Sequence, residues 1–148
     1  MNKKYAVVFS SALAVAFLDQ LTKLLIRKNF ELGESLPIIN RVFHLTYVTN
    51  TGSAFGLFKN LSWFFTLFGA IVIMVIFYYL RTKIKEEDRF LQLAVGLLLG
   101  GTLGNLIDRI VHGAVIDFLD FRIWPVFNVA DSSVSVSVIL LIILLWKK

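Results

Sequence analysis

Cysteine is absent from the 148 residues. That absence excludes a disulfide framework, an iron–sulfur cluster, a thiolate zinc site and a cysteine nucleophile together. Histidine is nearly absent: His44 and His112 stand far apart, without the His-Glu-x-x-His spacing of a helical metal site. Charge is scarce, at 17% of the chain, and the stretch Leu61–Leu80 has none. Neither a repeat of the two halves nor a low-complexity tract is visible. What is present is apolar. Hydrophobic residues make up 57% of the chain and the mean hydropathy is +0.77, against roughly 45–50% apolar residues in ordinary soluble domains. The length allows one domain, and the excess of Phe, Leu, Ile and Val points to lipid. A net charge of +5 would suit nucleic acid, but the basic residues form no single patch with interleaved aromatics, so no such partner is expected.

A membrane helix needs about 20 mostly apolar residues to cross about 30 Å of hydrocarbon. Four segments approach this length, at 5–22, 61–80, 90–111 and 128–146. Between the first two, residues 23–60 carry Gly33, Pro37, Asn50-Thr51-Gly52 and the β-branched run Val42–Val48, the signature of strands and turns. The expected fold is an all-α membrane core of four transmembrane helices in a single domain, 1–148. A small extracytoplasmic β-rich layer lies on the membrane, and a short extracytoplasmic loop or helix joins it. Residues 112–127 form a shorter connection between spans three and four.

Basic residues set the orientation. Lys3 and Lys4, then Arg81, Lys83, Lys85 and Arg89, then Lys147 and Lys148 supply eight of the fifteen in three very short stretches. Both termini and 81–89 are therefore expected in the cytoplasm, with 23–60 and 112–127 outside. Lys3-Lys4, an apolar run and Ala12, Ala14 and Ala16 resemble a cleavable secretory signal. Three further apolar spans follow, which reads better as a retained first helix.

An ionisable side chain near the bilayer centre costs about 2.5–3.5 kcal/mol on insertion scales unless it is paired or reaches water. Asp19, Lys23, Asp108, Arg109 and Asp131 lie in or at the ends of the spans, all at the ends assigned to the outer face. They must meet one another, the interface or a wet cavity. Asp19 and Lys23, four apart, share a helix face and can pair; anchoring the helix explains them as well as catalysis does. Gly96, Gly100 and Gly104 give span three a smooth face for close packing. Asn105, Asp108 and Arg109 follow at helical spacings. Ser132, Ser133, Ser135 and Ser137 lack a neighbouring His or Lys base and read as polar packing on span four. Asp117, in Ala114–Phe118, and Asp131, after Phe127–Ala130, stand in apolar surroundings. Two such carboxyls brought close share a proton, so one can activate water while the other donates.

Taken in order, five blocks carry a resemblance: Asp19-Gln20-Leu21-Thr22-Lys23, Asn50-Thr51-Gly52-Ser53-Ala54-Phe55-Gly56, Gly100–Arg109, Val115-Ile116-Asp117-Phe118 and Phe127-Asn128-Val129-Ala130-Asp131-Ser132. Over essentially the whole chain the sequence resembles the bacterial lipoprotein signal peptidases (signal peptidase II), departing from the usual Ala at Ser53. The resemblance implies an aspartic endopeptidase of the bacterial cytoplasmic membrane. Such an enzyme removes signal peptides from prolipoproteins just before a diacylglyceryl-modified cysteine. It implies Asp117 and Asp131 as the catalytic pair. Asn50, Gly52, Asn105, Arg109 and Asn128 would line the site, with Asp19, Lys23 and Asp108 supporting it. It further implies membrane lipids as partners, globomycin-like cyclic peptides as inhibitors, a monomer, and no metal or cofactor. Asp108 has Arg109 beside it in sequence, and a neighbouring cation favours the ionised carboxylate. That suits an orienting group better than a proton shuttle and leaves Asp117 as the pair's first member. The segment Asn50–Phe58, rich in Gly and Phe, is expected to close over the substrate.

Two other classes make different predictions. An ion or proton pathway needs polar residues through the membrane depth, whereas here the ionisable ones cluster at one end and span two has none. A helix-packing scaffold accounts for the glycines but leaves Asp117, Asn128 and Asp131 unexplained.

Overall fold

The computed structural model describes residues 3–52, 61–82, 85 and 88–146. Four helices, α1 (Lys3–Asn29), α2 (Ser62–Thr82), α3 (Arg89–His112) and α4 (Val129–Trp146), are each long and apolar enough to cross a membrane. Large side chains such as Leu13, Phe17, Phe68, Met74 and Ile139 are exposed on them, as lipid-facing surfaces should be. Three strands, β1 (Ser35–Ile39), β2 (Phe43–Asn50) and β3 (Val115–Asp120), form one antiparallel sheet in the order β1-β2-β3.

Two boundaries differ from the sequence-based expectation. The first helix does not end near residue 22 but runs to Asn29, so the β-rich layer begins well after Lys23. Lysine is itself a good helix former; its charge is costly in lipid only when unpaired, and Lys23 is paired with Asp19 and Asp108 inside the bundle. The connection 112–127 is more than a loop or short helix: it contains β3, which completes the sheet. Gly113, at φ 73°, ends α3 by donating its N–H to the Arg109 carbonyl, and the chain turns directly into the strand. The expected lid lies outside the described residues from position 53 onward. So do the side chains of Lys3, Lys4, Lys83, Lys147 and Lys148.

α3 is the central helix. Its glycines let α1 and α4 approach closely: Gly96 and Gly100 face α1, whereas Gly101, which the four-residue ladder omitted, faces α4. A Cβ on Gly100 would sit 2.6 Å from the Ala12 carbonyl oxygen and 2.8 Å from Val15 Cβ. Backbone cannot yield as a flexible side chain can. Gly100→Ala is therefore expected to destabilise the protein by about 1–3 kcal/mol, the usual cost of overpacking. Gly69→Ala, whose nearest neighbour would be 3.7 Å away, should melt with the wild type in detergent.

The sheet places one carboxylate. Ile116 and Phe118 point from β3 onto Ile26 of α1 and the neighbouring Phe30, Tyr47 and Val129. Strand side chains alternate between faces, so Val115 and Asp117 are turned the other way, where both line a cavity.

Candidate active site

Asp117 and Asp131 come from a strand and a helix to one cavity of about 790 Å³. Asn50, Gly52, Asn105 and Arg109 share its wall, with an apolar side built from Val115, Phe121, Trp124 and Phe127.

Asn128 links the Asp117 carboxylate to the backbone of Asp131. It immediately precedes α4, and its Oδ1 accepts the Asp131 N–H at 2.8 Å, the bond of a helix N-cap. Its amide donates to Asp117 Oδ1 at 2.7 Å and also contacts the Ile116 carbonyl and Asn105 Oδ1. Asn128 is fully buried. Asn50 donates to the other oxygen of Asp117 at 3.2 Å. That contact follows from register: Val48 pairs with Asp117, and Asn50, two residues on, is the diagonal neighbour on the same face. Asn50 Oδ1 in turn accepts the Gly52 N–H at 2.9 Å.

Burial pushes the Asp117 carboxyl up to about 7, and the nearby Asp131 charge adds to the effect. The Asn50 and Asn128 donors and the more distant Lys23 charge oppose it without cancelling it. A carboxyl in this state exchanges its proton near neutrality. Asp131 accepts a 2.7 Å hydrogen bond from Asn105 Nδ2 and sits in the first turn of α4, where the positive end of the helix dipole favours negative charge.

The supporting charges lie on the far side of Asn105. Lys23 is buried between Asp19 and Asp108, at 2.8 and 2.7 Å, and donates to Asn105 Oδ1 at 3.1 Å. The cation beside Asp108 is therefore Lys23 of α1 and not Arg109, its neighbour in sequence. Successive helical residues point about 100° apart, so Arg109 turns to the cavity, its guanidinium 5.5 Å from the Phe65 ring centroid. Among the described residues its Nε has no hydrogen-bond partner. Asp108 also accepts the Ile116 N–H at 3.0 Å, tying α3 to β3. Asp19 accepts the Ala130 N–H at 2.9 Å, tying α1 to the start of α4.

All ten residues singled out from the sequence thus fall in one connected region. Gln20 was missed: its amide reaches Asp108, the Gly104 carbonyl and Asp19. It stood inside the first motif, and its polarity within an apolar helix was the available signal. The apolar wall was missed as well, because nothing local in Phe121–Phe127 announces a cavity. Of the serines, Ser137 packs as expected, donating to the Ala94 carbonyl at 2.7 Å. Ser132 and Ser135 instead line the cavity.

The profile of the family described as Signal peptidase (SPase) II matches residues 11–147. The chain is 48% identical to the lipoprotein signal peptidase of Halothermothrix orenii, over 96% of this chain and 97% of that protein. It is 52% identical to that of Moorella thermoacetica, over 88% and 86%, and 48% identical to that of Bacillus subtilis, over 89% and 88%. A solved bacterial membrane enzyme, determined in meso at 2.3 Å, superposes with a TM-score of 0.90 at 35% identity, covering 96% of this chain and 88% of that one. Four apolar helices, a three-stranded sheet and paired aspartates thus coincide with close sequence relatedness, and the chain belongs to the signal peptidase II family of lipoprotein signal peptidases.

Proposed function

We propose that the protein is an intramembrane aspartic endopeptidase that cleaves prolipoproteins immediately N-terminal to a diacylglyceryl-modified cysteine, with Asp117 and Asp131 as its catalytic pair. The observation that carries this reading is the convergence of the buried Asp117 and the half-buried Asp131 on one largely apolar cavity, with Asn128 bonded to the Asp117 carboxyl and to the Asp131 backbone N–H. In the reaction, one ionised aspartate takes a proton from water as the oxygen attacks the scissile carbonyl. The other, neutral, donates its proton to the carbonyl oxygen. As the tetrahedral intermediate collapses, one of its hydroxyls returns a proton to the aspartate that donated, the C=O re-forms, the C–N bond breaks, and the amine leaves with the proton taken from water; no acyl-enzyme forms. Asn50, Gly52, Asn105 and Arg109 hold the substrate backbone, and Val115, Phe121, Trp124 and Phe127 receive its lipid chains.

The basic residues at both ends and in 81–89 support a cytoplasmic location for those segments, with the sheet and cavity at the outer face of a bacterial cytoplasmic membrane. The substrate enters laterally with its tails in the bilayer. Globomycin-like cyclic peptides compete for the same cavity, and the enzyme acts as a monomer.

The test uses purified protein in lipid, a diacylglyceryl-cysteine peptide and its unlipidated counterpart. Only the lipidated peptide should be cut, and Asp131→Asn should lose at least 1,000-fold in rate. The rate should also fall as pH rises through about 7, where Asp117 gives up its proton. Full activity in Asp131→Asn would overturn the assignment of the pair.

A further inference from the structure

Lys23 is buried and touches neither carboxylate of the cavity, yet it is bonded to the residue that does. Its ammonium can only donate, and it donates to Asn105 Oδ1. The Asn128 amide donates to that same oxygen at 3.1 Å. Two obligate donors on one atom fix the orientation of the Asn105 carboxamide, because a flipped amide would set NH₂ against NH₃⁺. The NH₂ of Asn105 must then face α4, where it donates to Asp131 Oδ1 at 2.7 Å. A donor held on a carboxyl oxygen favours its ionised form; Asp117 accepts amide donors too, from Asn50 and Asn128, and what tips the balance to Asp131 is its added place in the first turn of α4.

We propose that Lys23 is a positioning residue: by locking the Asn105 amide it assigns the negative charge of the pair to Asp131 and leaves the proton on Asp117. Asp131 is then the group that takes the proton from water and Asp117 the group that donates to the carbonyl. The inference rests on the reading of Asp117 and Asp131 as the catalytic pair. The charged groups facing Lys23 are Asp19 on its own helix and Asp108 on α3. Beyond Asn105 lie Asp131 on α4, Asp117 on β3 and Arg109 on α3. Asp19 and Asp108 are each tied to a backbone N–H as well as to Lys23, so the ammonium has a fixed seat from which to hold Asn105.

The experiment reads the protonated-carboxyl stretch by infrared difference spectroscopy at pH 6, alongside the pH profile of cleavage. In wild type one protonated carboxyl should be present. It should vanish in Asp117→Asn and persist in Asp131→Asn; the reverse pattern would overturn the assignment. In the Asp117→Asn background, Lys23→Met should restore part of the band, since Asn105 then keeps only the Asn128 donor on its oxygen and holds Asp131 less firmly. Removing Lys23 leaves Asp19 and Asp108 without their cation and can prevent folding. Asn105→Leu keeps those ion pairs and decides the matter on its own: it too should restore the band in the Asp117→Asn background. With the pair intact, it should move the acidic limb of the cleavage profile upward by at least one pH unit. An unmoved limb together with an absent band would leave Lys23 a structural residue only. Full cleavage by Asp117→Asn or Asp131→Asn would instead defeat the catalytic pair itself, an outcome separate from these.

Discussion

Asp117→Asn is expected to abolish cleavage and at the same time to make the folded protein harder to melt. The first effect is the loss of a proton donor that must be neutral before attack and charged after it. The second follows from linkage. Asp117 holds its proton up to about 7 in the folded protein, against an ordinary value of 3.8, chiefly because burial opposes the charge. A group with a raised folded value contributes stability that is complete below the unfolded value and is lost as pH rises through the folded one. About three pH units at about 1.4 kcal/mol each set a ceiling of about 4 kcal/mol on this loss above pH 7. Asparagine is nearly the same shape and carries no charge, so it escapes this loss; its NH₂ faces Asn50, whose 3.2 Å bond is the longer of the two that Asp117 accepts, and gives up that bond alone. The melting temperature of Asp117→Asn should therefore exceed that of wild type clearly at pH 8 and by much less at pH 5. A variant that melted earlier than wild type at pH 8 would show that the carboxylate contributes to the fold.

Asn128→Ala carries the second large effect, this time on both stability and rate in the same direction. It removes the cap of α4, worth about 1 kcal/mol, and leaves the buried Ile116 carbonyl short of a donor, for about 1–3 kcal/mol more. A total loss of about 2–4 kcal/mol should appear in thermal unfolding. The rate should fall at least 100-fold, because Asp117 and Asp131 lose their common brace and an ångström of drift has that cost. Asn128→Asp separates the two contributions. A carboxylate still accepts the Asp131 N–H, so the cap and part of the stability should return. It cannot donate to Asp117 and adds a third acid to the cavity, so the rate should not recover.

The spans were legible because lipid demands long apolar runs: the predicted 61–80, 90–111 and 128–146 differ from α2, α3 and α4 by only one or two residues at any end. The first span was read short because Lys23 looks like an exit from the membrane when its partners are unseen. One partner, Asp19, was visible at i,i+4; the other, Asp108, is 85 positions away. The same blindness to distance paired Asp108 with Arg109. β3 escaped notice because four successive buried residues, Val115–Phe118, show no alternation between water and core. The aspartates themselves stood out in an apolar chain. Their arrangement did not, since Asn128 and Asn105 acquire meaning only when α1, α3, β3 and α4 are in place.

The order in which that arrangement is assembled bears on the cell that makes it. A chain leaving the ribosome delivers Asp19 and Lys23 first, one turn apart and covering each other's charge, while Asp108 is still unmade. Asp117 follows, and Asn128 and Asp131 come last, at the head of the final helix. On the proposed assignment of the pair, until that helix enters the membrane the nascent protein holds a single acid where two are needed, so it passes through synthesis and insertion as an inert polypeptide, unable to cut its own apolar segments or those of its neighbours at the translocon.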